Sequence, residues 1–124
     1  MKKIVHTDAA PAAIGPYSQA VIKDSTLFIS GQLPVDPKTG ELVEGIEAQA
    51  RQSLTNVKAI LEEAGSSLEK VVRTGVFMKD LKDFAAMNAV YAEFFAGDFP
   101  ARSCVQVAAL PKDALVEIEV IADL

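Results

Sequence analysis

The stretch VEIEVIA, Val116 to Ala122, sets every second position apolar. Val116, Ile118, Val120 and Ala122 form one apolar set, and Glu117 and Glu119 fall between them. Successive strand side chains point to opposite faces, so this is a strand packed on one side and bearing carboxylates on the other. The chain must therefore cover one face of a sheet with its own helices and account for the second face in some other way.

The remaining segments fit that requirement. Lys2 to His6 predicts a short strand, and APAAIGPYSQAVI breaks regular structure until Gln19 to Ile22 turns apolar. Asp24-Ser25 then reads as the turn of a hairpin into Thr26–Ser30, followed by a loop with a turn at Pro37 to Gly40. Gly45 to Ala64 carries Ile46, Ala50, Leu54, Val57 and Leu61 at helical steps, with Gly65 as its stop. Val71 to Met78 is rich in β-branched residues and predicts a strand. Asp80 is placed to cap a second helix, Leu81 to Phe95, with Phe84, Met87, Tyr91, Phe94 and Phe95 as its apolar stripe. Two strands, Arg102 to Ala108 and Leu115 to Ala122, complete the order. The expected architecture is α+β: a single domain over residues 1–124, with one mixed sheet and both helices on one face. Half of the residues are hydrophobic, more than one small domain hides easily, so the other face is expected to pack against further copies of the chain.

Charge and cysteine content exclude several classes of function. A net charge of −5 with scattered lysines and arginines supplies no basic stripe for nucleic acid. One cysteine cannot form an internal disulfide, and no Cys/His cluster offers metal ligands. The opening MKKIVHTDAAPAA lacks the apolar run of a signal peptide, and no segment approaches membrane-spanning length. These features predict a cytoplasmic protein that uses no metal.

The chemistry concentrates in FPARSCVQV, Phe99 to Val107. Alternation puts Arg102, Cys104 and Gln106 on one face and Ser103, Val105 and Val107 on the other. The valines are expected to join the helix-covered core, which would turn Arg102 and Cys104 toward the uncovered side together with Glu117. A nucleophilic Cys104 would need a base, and the only histidine is His6, far away in sequence and in no motif. Arg102 suits a carboxylate clamp through its planar fork, although a salt bridge to Glu117 or Glu119 uses the same group. Asn88 lies among the apolar positions of the second helix, where its amide must bond either to backbone or to a site group. Ser30-Gly31 at a strand end would let backbone amides approach a ligand.

PARSCVQVAALPKDALVEIEV resembles the C-terminal signature of the RidA (YjgF-type) family of reactive-imine deaminases. GPYSQAV, FISGQLP and VFMKDLKDFAAMNAVYAEFF extend the resemblance over the whole chain. It implies a chorismate-mutase-like fold assembled as a homotrimer, with ligand sites between subunits. It further implies cofactor-independent hydrolysis of 2-imino acids, in equilibrium with enamines such as 2-aminoacrylate, to 2-keto acids and ammonia. 2-Iminobutanoate is a substrate of this kind, and the reaction protects other enzymes from enamine damage. The anionic clamp falls on Arg102 and the water-positioning carboxylate on Glu117, where a nearby arginine would lower the carboxyl pKa. Tyr17, Ser30, Gly31, Asn88 and Cys104 complete the substrate-binding positions. Two alternatives stay open: a 2-keto-acid-binding regulatory protein without turnover, and a ribonuclease or translation inhibitor.

Overall fold

A computed structural model describes residues 1–124. Strands β1 (Lys3–Val5), β2 (Ala20–Lys23) and β3 (Thr26–Gln32) precede helix α1 (Ile46–Glu63). Strand β4 (Val71–Met78), helix α2 (Phe84–Phe94), β5 (Ala101–Gln106) and β6 (Val116–Asp123) follow. All six strands form one mixed sheet in the order β1-β2-β3-β6-β4-β5. Only the β4–β5 pairing is parallel. The fold is the expected α+β arrangement, with every predicted element present and its ends moved by a few residues.

The second helix differs most. Asp80 accepts a hydrogen bond from the Lys82 amide at 2.9 Å, and the chain first makes a 3₁₀ turn, Leu81–Asp83, before α2 begins at Phe84. The predicted cap is real, but the turn it stabilises is the tighter one. β2 and β3 are joined across Asp24-Ser25, with Lys23 opposite Thr26.

Both helices lie on the face carrying Leu27, Ile29, Val76, Ile118 and Val120, all of them buried. From α1, Leu54, Val57, Ile60 and Leu61 are fully enclosed against it. Burying each such side chain contributes about 1.5–3 kcal/mol, which makes this layer the main source of stability. Truncating Ile118 to alanine at its centre would cost about 2–5 kcal/mol. Arg51 of α1 and Glu93 of α2 join the helices at the surface through two hydrogen bonds of 2.8 and 3.1 Å.

The second face has no helix. Ile4, Val21, Phe28, Ile121, Phe77 and Val105 alternate onto it, and Ile4, Phe28 and Val105 are each about half exposed (53%, 45% and 46%).

This register corrects the expectation for β5. Arg102 pairs with Thr74, Cys104 with Val76 and Gln106 with Met78, and those three β4 residues are buried under the helices. Arg102 and Cys104 therefore face the helix side, while Ser103 and Val105 face the open side. The apolar character of the valines was a poor guide because β5 is an edge strand, and its open-face side chains need cover that this chain does not supply. Val107 lies just beyond the end of the strand, where its amide donates to the Met78 carbonyl at 2.9 Å.

Candidate functional site

Two groups of side chains carry the candidate chemistry, one on each face of the sheet. The first surrounds Glu117. Between β3 and β6 the register slips: Ile29 pairs with Val120 but Gln32 with Ile118, so Ser30-Gly31 forms a bulge. Glu117 folds over that bulge. A Cβ on Gly31 would collide with Glu117 Oε1 and lie 2.9 Å from its Cδ, so only glycine leaves room for the carboxylate. Ser30 donates from Oγ to the Ser18 carbonyl at 2.6 Å, which ties the Tyr17 loop to the same place. Buried Gln19 holds the preceding loop through bonds to Thr7 and Pro11.

The result is a cleft of about 780 Å³ lined by Tyr17, Ser30, Gly31 and Glu117, with Ile14 and Lys112 among its other walls. Burial raises the Glu117 carboxyl above its ordinary range, and repulsion from Glu119 adds to the shift. The expected lowering by an arginine does not occur within the chain, because no arginine lines this cleft.

The second group is centred on Arg102. Its Nη1 donates to Asn88 Oδ1 on α2 at 2.7 Å. The guanidinium carbon lies 4.7 Å from the centre of the Tyr91 ring and 5.4 Å from that of Phe84. The Tyr91 hydroxyl shares a 2.8 Å hydrogen bond with the buried Thr74 hydroxyl, which fixes that ring against the sheet. Asn88 thus bonds to a site group, and the alternative of a backbone partner is not what the structure contains. Arg102 enters no ion pair with Glu117, Glu119 or any other carboxylate of the chain.

Cys104 sits on the same face two residues on, half-buried beside the core. Burial pushes its thiol pKa up, against an opposing pull from Arg102. His6 is tied to Asp8 at 3.1 Å next to β1, at the sheet edge opposite the one formed by β5. Within one chain there is no Cys–His dyad, and the sulfur is a small partly buried neighbour rather than an activated nucleophile.

The structure therefore brings Tyr17, Ser30, Gly31 and Glu117 together, and Asn88, Arg102 and Cys104 together, but keeps the two sets apart. Sequence reasoning missed Phe84 and Tyr91 as companions of Arg102, having placed both in the apolar stripe. Their spacing of four before and three after Asn88 was the available signal, because those offsets share one helix face.

The sequence model of the family described as endoribonuclease L-PSP matches residues 7–124. The chain belongs to that family. Within it, the 2-iminobutanoate/2-iminopropanoate deaminase of Salmonella typhimurium is 58% identical over 125 residues, covering 98% of each chain. The crystal structure of RidA from an Antarctic Psychrobacter species superposes with a TM-score of 0.96 at 52% identity, covering 98% of this chain and 99% of that one. Escherichia coli TdcF, solved with bound serine, gives a TM-score of 0.96 at 52% identity and 98% coverage of both. The resemblance to the RidA family thus holds in sequence and in fold, and other family members carry only the name RutC family protein. No helix of the chain is long and apolar enough to cross a membrane.

Proposed function

We propose that this protein hydrolyses reactive 2-imino acids and their enamine tautomers to 2-keto acids and ammonia, in a site shared between copies of the chain. One observation supports the reading: Arg102 and Glu117 lie on opposite faces of one sheet, each with its own group of polar or aromatic side chains around it. A ring of identical subunits can set the Arg102 face of one copy against the Glu117 cleft of the next. The half-exposed apolar side chains of the open face would be covered by the same packing, and a homotrimer fits both demands.

In this site Arg102 holds the substrate carboxylate through paired N–H donors, which places the imine carbon over the cleft. Glu117 holds a water molecule. Burial raises the Glu117 pKa within the chain while the guanidinium brought by the next copy opposes that shift, so its help as a base falls toward the lower end of about 10²- to 10⁴-fold. Water adds across C=N as the Glu117 carboxylate takes a proton from it and passes that proton to nitrogen. The hydroxyl proton of the resulting carbinolamine is then carried to nitrogen by the same carboxylate as the C–N bond breaks, which gives the keto acid and ammonia. Tyr17 and the Ser30-Gly31 backbone line the space where the nitrogen would lie. The reaction needs no cofactor on this scheme, since the imine carbon is already electrophilic. The close identity to an enzyme named 2-iminobutanoate/2-iminopropanoate deaminase supports the assignment, and a cytoplasmic location would suit it.

The deciding experiment generates 2-aminoacrylate in situ with a dehydratase and follows 2-keto acid and ammonia release. Wild-type protein should accelerate release and Arg102→Ala should not. Binding of a 2-keto acid without any acceleration would instead make the protein a metabolite-binding regulator. The family's description raises ribonuclease activity, but a chain of net charge −5 with a single histidine offers no phosphate stripe and no histidine pair.

A further inference from the structure

Arg102 is the one arginine of this chain that the fold half-buries among aromatic rings, and it is held only by neutral groups. Asn88 Oδ1 accepts from Nη1 at 2.7 Å, while Tyr91 and Phe84 lie 4.7 and 5.4 Å from the guanidinium carbon. The chain has 17 acidic residues for 12 basic ones, and it pairs Arg51 with Glu93 through both oxygens. Yet no carboxylate of the chain reaches Arg102. Partly desolvating a charge without a counter-charge from its own chain is unfavourable, and the fold of each chain accepts that cost here.

We infer that Asn88, Phe84 and Tyr91 form a charge-preserving cradle: positioning residues that fix the guanidinium while leaving its charge and its remaining N–H donors for an anionic ligand. This rests on the reading of Arg102 as the carboxylate clamp and goes beyond it by assigning Asn88 to the arginine rather than to the substrate. The chemistry explains the choice of groups. An amide oxygen aligns one nitrogen as well as a carboxylate would but does not compete with the substrate for charge. Ring faces attract the cation without occupying its in-plane donors. Thr74 anchors the Tyr91 ring through its hydroxyl, so the floor of the cradle is locked to β4. Phe84, more than a third exposed at 37%, is the outer wall.

The cradle makes stability and affinity respond in opposite directions. In Asn88→Asp a carboxylate would pair with Arg102, so the melting temperature should be no lower than wild type. The KM for the 2-imino acid and the Kd for 2-ketobutyrate should nevertheless rise at least about tenfold, because the ligand's charge partner is already neutralised. kcat should change little, since the carboxylate grip is the same in ground and transition states. Phe84→Leu should raise the same Kd by roughly two- to fivefold, and Phe84→Tyr should restore it, because only a ring supplies the cation–π attraction. Calorimetric titration with 2-ketobutyrate, the coupled hydrolysis assay and melting curves read all of these. An unchanged Kd in Asn88→Asp, or one that worsens only in step with a falling melting temperature, overturns the cradle. If that variant does not fold, equal affinities for Phe84→Leu and wild type overturn it instead. Arg102→Ala separates the two levels. Retained binding there removes the clamp itself, whereas lost binding with wild-type behaviour in the cradle variants leaves the clamp and rejects the cradle.

Discussion

Arg102 and Glu117 occupy opposite faces of the same sheet, with β4 running between their strands. Arg102 pairs with Thr74 on the helix side, and Glu117 pairs with Phe77 on the open side. No side-chain rotation within one chain can bring them to a common ligand, so a site that uses both must draw them from two copies.

Complementation tests this directly. Arg102→Ala and Glu117→Ala proteins, each inactive alone, should regain activity when unfolded and refolded together. At equal mixing about a quarter of the sites in a heterologous ring would hold both intact residues. No recovery in verified mixed oligomers would place both residues of each site on a single chain.

Glu117→Gln should lower kcat by about 10²-fold while leaving 2-keto-acid binding close to wild type. The same substitution should stabilise the protein at neutral pH. Burial and Glu119 raise the Glu117 carboxyl in the folded state, so the native protein binds more protons than the unfolded chain between the ordinary and the raised value. Its stability contribution is fully present below the ordinary carboxylate range and is lost as pH rises through the raised pKa. Glutamine, which cannot ionise, escapes that loss. The gain in melting temperature at pH 7 should shrink toward zero in acid. A gain of the same size at every pH would mean that ionisation of Glu117 is not its origin.

Gly31→Ala should damage catalysis without damaging the fold. Gly31 is not among the glycines with positive φ, so its backbone accepts alanine, and the three nearest neighbours of the new methyl are all atoms of the Glu117 side chain. Displacing that group by about an ångström should cost on the order of 10²-fold in kcat with an ordinary melting curve. Steady-state kinetics on the purified variant would check it.

Cys104→Ala should keep activity within about threefold of wild type, because a thiol whose pKa is raised by burial supplies little thiolate. Slow alkylation of the native protein by iodoacetamide at pH 7 should accompany it. A dead variant would make the sulfur a participant.

Much of the fold was legible in the chain. The alternation of Val116–Ala122 identified a half-covered strand, and the three- and four-residue steps of Ile46–Leu61 identified its covering helix. Side chains near the candidate chemistry were also legible as residue types: an arginine with no need of a base, carboxylates alternating with an apolar strand face, an amide in an apolar helix stripe. The side of the sheet on which β5 displays Arg102 was not legible. Val105 and Val107 looked like core and are not, because apolar character reports that a face will be covered, not whether the same chain covers it.

The sequence alone thus determined the period of each element, the existence of one packed face, and the groups available for catalysis, since these follow from local geometry and side-chain chemistry. Tertiary structure decided the rest. By inserting β4 between β6 and β5 and adding β5 in parallel, it set Arg102 against Thr74 and turned the guanidinium under α2. Alternation fixes which residues share a face but leaves the choice of face open, and only long-range strand pairing makes that choice.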